Sequence, residues 1–131
     1  MRVQATNLTF TSLVKTLYKR GRIDIKYGIY GEELKRKTVS DEHIKCKCFG
    51  GTKDLSNIAL ADARFNNLRG CQPIELFTTM ENVRQYCNQF LNIKVQGFNG
   101  RVYAQGILKT FLEIFNKGNH NEENKKYRAV K

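Results

Sequence analysis

Residues 41–70, DEHIKCKCFGGTKDLSNIALADARFNNLRG, constrain this chain more than any other stretch. An acid pair stands directly against a histidine in Asp41-Glu42-His43, and a Gly50-Gly51 turn follows. Asn57 comes fourteen residues after His43, Asn66 nine residues later, and Asn67, Arg69 and Gly70 close the run. Imidazole, with an unperturbed pKa near ~6.5, is the natural general base at neutral pH. The only other histidine, His120, lies in a polar tail and receives no catalytic role. Ile58, Ala61, Phe65 and Leu68 recur at helical intervals, and Asp62, Asn66 and Arg69 fall on a second, polar face. That pattern predicts a helix ended by Gly70, with Asn66 beside a cation suited to phosphate. Asn67 is turned about 100° from Asn66 and is the poorer ligand.

The ordered set EHI, GG, DLSN and NNLRG at these separations resembles the HNH nuclease motif, also called the ββα-metal motif. Small bacterial and phage nucleases and CRISPR effector nucleases carry domains of this kind. The resemblance covers residues 41–70 and implies an α+β fold: a ββα-metal (His-Me finger) core, a β-hairpin then one helix around a divalent ion, with flanking helices. It assigns His43 the deprotonation of the attacking water. It makes Asn57 the residue that orients His43, ordinary work for a group behind the reacting one. Read from its neighbours alone, Asn57 is equally a turn or helix-cap residue. The implied ion is Mg²⁺, with Mn²⁺ able to substitute, held by Asn66 and a carboxylate. Glu42 is favoured by position, and Asp41 stands beside it as the alternative. Successive strand side chains point to opposite faces, so Glu42 and His43 share a site only if the strand ends or bulges there.

Charge supports a polyanionic partner. The chain carries 23 Lys and Arg against 12 acids, a net +11. Residues 1–40 hold a net +6 and residues 117–131 a net +3, while residues 41–72 hold only +1. Cations flank the motif, and the motif keeps its acids, the distribution a nuclease needs. Lys35, Arg36, Lys37, Lys45, Lys47 and Arg69 are the expected phosphate contacts.

Cys46, Cys48, Cys71 and Cys87 are the four cysteines. HNH proteins commonly carry two CxxC pairs around a structural zinc, whereas CKC is the only close pair here. Four free thiols, mostly buried, are expected rather than a structural zinc, and a zinc site of Cys46, Cys48, Cys71 and Cys87 is the alternative. Cys46 and Cys48 are expected on one side of a strand.

Outside the motif, Leu13, Val14, Leu17 and Tyr18 predict a helix over about residues 9–20, with Gly21 as its stop. Alternating Ile23, Ile25, Tyr27 and Ile29 predict a strand. Thr78-x-x-Glu81 is a capping-box pattern opening a helix through about Leu91, striped by Val83, Tyr86, Cys87 and Phe90. Asn99-Gly100 marks a turn, and a last helix over about 101–116 is expected to bury Val102, Ile107, Leu108, Phe111, Leu112 and Phe115. Residues 1–116 thus form one HNH-like domain: a helix and strand region over 1–40, the motif over 41–70 and supporting helices over 73–116. The polar, basic stretch 117–131 is expected to be a disordered tail.

The leading expectation is a metal-dependent endonuclease acting on DNA, double-stranded by preference, leaving a 3′-hydroxyl and a 5′-phosphate. One such site cuts one strand, so double-strand cleavage needs a homodimer or two nicks. The alternative is a non-catalytic binding protein on the same scaffold, a phage-encoded inhibitor of a host nuclease or a DNA-binding accessory factor; RNA is open to the same chemistry. No run approaches the ~20 apolar residues of a membrane span, so no membrane partner is expected and the location is a bacterial or phage-infected cytoplasm.

Overall fold

The computed structural model describes the backbone of residues 11–130 and the side chains of residues 11–116. Among these, the sequence folds as mixed helix and sheet, with four helices and two small antiparallel sheets. α1 spans Leu13–Lys19, capped by Ser12, whose Oγ accepts Lys15 N–H. It ends before Gly21, at φ 73°, as expected; residues 9 and 10 of the expected helix lie outside the described residues. β1, Val39–His43, pairs with β2, Ile58–Asp62, from Val39 opposite Asp62 to His43 opposite Ile58. The loop of residues 44–57 joins them. α2, Ala63–Arg69, follows directly, and Gly70 closes it at φ 57°. α3 spans Met80–Asn88; a short hairpin of β3, Lys94–Val95, and β4, Phe98–Asn99, leads into α4, Gly100–Val130.

All five residues of β2 are buried. A strand buried on both faces shows no alternation, so its sequence carried a helical period by coincidence. The helix expected from Ile58 therefore starts only at Ala63, with Asp62 as its N-cap accepting Arg64 N–H. Of its supposed apolar face, Ile58 and Ala61 are buried in β2, and Leu68 on the helix is 74% exposed.

A two-stranded sheet leaves an edge that must be satisfied. Side chains do this for β2. Leu60 N–H donates to the Tyr86 hydroxyl at 2.9 Å, Tyr86 shares a 2.7 Å bond with Tyr103, and Tyr103 donates to Ile58 C=O at 2.7 Å. Ile29 N–H reaches Leu60 C=O, and Glu32 accepts Asp62 N–H. Burial pushes both tyrosines' pKa values up, which keeps them neutral donors. The apolar stripe of α3 is in the core as expected: Val83, Tyr86, Cys87 and Phe90 are all buried. α3 packs on α4, and α4 also packs on the turn Leu55–Asn57.

Four further expectations are corrected. Residues 23–29 form no strand, because Gln89 takes the place of a neighbouring strand: its Oε1 accepts Lys26 and Tyr27 N–H, and its Nε2 donates to Tyr27 C=O. The cap of α3 is Thr79 with Asn82, one residue later than expected; Thr78 is buried and donates to Ile29 C=O. Val102 is 61% exposed, whereas Ile107 and Phe111 are fully buried. The backbone of α4 runs as helix to Val130, past the end expected near residue 116.

Candidate functional site

The pleat of β1 sorts the motif residues onto two sides. Ser40 and Glu42 face α2, where Ser40 Oγ accepts from Asn66 Nδ2 at 2.6 Å. Asp41 points the other way, to α1: Ser12 N–H and Ser12 Oγ donate to its two carboxylate oxygens at 2.9 and 2.6 Å. His43 follows Asp41's side by alternation and stands at the end of the strand.

Glu42 is 3% exposed, and both its oxygens are taken. The Tyr30 hydroxyl donates to Oε2, and Arg69 Nη1 lies 3.3 Å from Oε1. Burial pushes the Glu42 carboxyl up, against the pull of Tyr30 and Arg69, and it raises Tyr30 as well. Arg69 itself is 2% exposed, which overturns its expected role as a phosphate contact. Its guanidinium donates to His43 C=O at 2.6 Å, Ile44 C=O at 2.9 Å and Gln72 C=O at 2.7 Å. The side chain fastens the backbone at His43 and just after it to the end of α2. Asn66 and Arg69 do share the face of α2 that meets the hairpin, as their spacing indicated.

Asn57 clamps the loop. Its Oδ1 accepts Lys45 N–H at 2.8 Å, and its Nδ2 donates to the carbonyls of Lys45 and Thr52 at 3.1 and 2.8 Å. It therefore holds the loop two residues on from His43, and its side chain bonds backbone rather than the imidazole. Gly51 completes the turn, since a Cβ there would run into the Lys45 carbonyl.

The His43 side chain is half-buried, and its Nε2 is buried without a hydrogen-bond partner. Burial lowers its pKa below the ordinary 6.5, helped by Lys47 and opposed by Asp41. Lys45 and Lys47 are exposed beside it, and so are Lys35, Arg36 and Lys37 upstream. Arg36 is engaged at its base, with Nε on Tyr18 C=O at 3.1 Å and its head over the Tyr18 ring.

These placements test the implied ion. The Glu42 oxygens hold Tyr30 and Arg69, the Asp41 oxygens hold Ser12, and the Asn66 Nδ2 donates to Ser40 and the Asp41 carbonyl. Glu42 and Asp41 also lie on opposite sides of β1. So arranged, Glu42 and Asp41 do not face one ion together, and a cation at Glu42 would have to displace the Arg69 guanidinium.

The structure brings together three of the four cysteines and leaves Cys87 out. Cys46, Cys48 and Cys71 have their Sγ atoms within 4.8 Å of one another. Cys46 is half-buried, Cys48 and Cys71 are exposed, and only Cys87 is buried, so the thiols are not mostly buried as expected. Cys46 caps a 3-10 turn, Lys47–Phe49, in place of the expected strand. The hydrogen bond from Cys71 lowers the Cys46 thiol, and the same contact pushes Cys71 up to about 12. The signal available in the sequence was C-x-C together with a cysteine just past the helix-ending Gly70.

No helix among the described residues is long and apolar enough to cross a membrane. No protein-family profile matches the chain, and neither a curated protein nor a solved structure does.

Proposed function

We propose that this chain is a nuclease of the HNH kind, hydrolysing phosphodiester bonds in DNA with His43 as the general base. The observation that carries the reading is the His43 Nε2, buried and without a partner at the end of β1. An unpaired buried polar atom costs about 1–3 kcal/mol, so a site that keeps one has a use for it. With its pKa held below 6.5, the imidazole is neutral at pH 7 and able to take a proton. The attacking water's proton passes to Nε2, its oxygen forms a new bond to phosphorus, and the bond from phosphorus to the 3′-oxygen breaks as that oxygen takes a proton from solvent. Exposed Lys45 and Lys47 supply charge for the phosphate. Arg69 and Asn57 hold the loop that carries these groups.

No step here is routed through Mg²⁺, because Tyr30 and Arg69 hold the Glu42 carboxylate. The sealing of Glu42 by Tyr30 and Arg69 favours a second reading, a DNA-binding protein on the same scaffold without cleavage. Supercoiled plasmid, incubated with protein in Mg²⁺, in Mn²⁺ and in EDTA, separates the two. The nuclease reading expects nicked or linear product, lost in His43→Ala and weakened in Lys45→Ala/Lys47→Ala. Intact plasmid in every arm, with a gel shift that His43→Ala leaves unchanged, sinks the enzyme and leaves the binding protein.

A further inference from the structure

We propose that Cys46, Cys48 and Cys71 form a zinc site that ties the loop after β1 to the end of α2. The placement is independent of the His43 reading. All three sulfurs lie within 4.8 Å of one another, and Cys48 and Cys46 approach to 3.3 Å. Zinc bound by thiolates at about 2.3 Å in a tetrahedron sets sulfurs roughly 3.8 Å apart, so the cluster reaches that geometry by small side-chain rotations.

The backbone beneath the sulfurs is already organised. Cys46 C=O accepts the N–H groups of Phe49 and Gly51, folding the turn that brings Cys48 over Cys46. Gly50 adopts φ 89° and Gly51 leaves no room for a Cβ, so the turn is fixed by residue type. On the other side, Arg69 bonds Gln72 C=O directly after Cys71 and reaches His43 and Ile44 C=O. The two cysteine-bearing segments are thus held at a fixed separation without a metal, the preorganisation that a tight site requires.

The donor chemistry selects the ion. Three thiolates are soft ligands, and Zn²⁺ takes them in a tetrahedron without redox change. Among the described residues no fourth His, Cys, Asp or Glu joins the cluster. Cys46 and Cys71 line a cleft of about 570 Å³, so the fourth position opens to solvent and takes water or a small external ligand. The pattern is C-x-C plus one distant cysteine, unlike two CxxC pairs, and it lies outside the set formed by Glu42, Asp41 and Asn66.

The test uses the full chain, reduced and stripped by chelator. Zn²⁺ is titrated in against a chromogenic competitor, and Co²⁺ serves as a spectroscopic probe. The expected result is one ion per chain, with a thiolate-to-cobalt charge-transfer band and tetrahedral d–d bands. Cys46→Ser and Cys71→Ser should weaken binding by more than about tenfold, and Cys87→Ser should leave it unchanged. Circular dichroism of each apo variant checks the fold, and the exposed Cys48→Ser is the second variant should Cys46→Ser unfold. No ion retained against the competitor would overturn the proposal. So would Cys71→Ser binding as tightly as wild type.

Discussion

Glu42 and His43 are neighbours in sequence and opposites in environment. Glu42 turns toward α2 and is sealed by Tyr30 and Arg69. His43 turns to the other side, ends the strand, and keeps its Nε2 unpaired. Asp41 shares His43's side and is likewise fastened, to the cap of α1. One side of β1 is built as interior, where charges must be paired; the other keeps one group available. The difference teaches that the acids of the motif hold the scaffold in this arrangement, whereas the histidine keeps a buried nitrogen unpaired.

The sharpest way to break this comparison is at Arg69. Removing one partner of a buried pair leaves an uncompensated charge, and Arg69→Met should destabilise the fold by about 3–5 kcal/mol. Urea unfolding at pH 7 measures it. Adding Glu42→Gln to Arg69→Met should recover part of the loss, because the stranded charge is gone. Recovery stays incomplete, since the carbonyls of His43, Ile44 and Gln72 still lack their donor. Full recovery would show that the pair matters and the three carbonyl bonds do not.

Arg69 also shows where the sequence stops being legible. Its helical phase against Asn66 was readable, and both do face the hairpin. Its burial was not, because nothing local says that three backbone carbonyls and Glu42 converge on that position. Strand 58–62 misled for the opposite reason: complete burial erased the alternation that marks a strand. The stripe of α3 was legible because one helix face alone meets the core. The hairpin pairing of Cys46 and Cys48 with Cys71 depends on the length of β2 and α2 together, a distance that no spacing rule encodes.

On the outward side the expected effects are smaller. Ser12 is both the cap of α1 and the partner of Asp41. Ser12→Ala removes the hydroxyl while keeping the backbone N–H to Asp41, and should cost about 0.5–2 kcal/mol. A loss near that of Arg69→Met would mean that the two sides of β1 are equally interior, against the contrast drawn here.

The smallest effect belongs to His43 itself. Its pKa in the folded chain lies below the ordinary 6.5, with burial the first cause and Lys47 the second. The unfolded chain therefore binds more protons between these two values, and stability rises with pH across that window. Below it, both states are protonated and the dependence on this group ends. Above 6.5 both are neutral, and the stability that burying a neutral ring allows is fully present. His43→Gln should remove this slope, so the difference between wild type and variant narrows or reverses as pH falls through the window. Urea unfolding of both proteins across that range reads it directly. A cleavage reaction with His43 as base should carry the same mark, its acidic limb falling off with a midpoint below 6.5. A limb centred above 6.5 would place the titrating group elsewhere and leave His43 outside the chemistry.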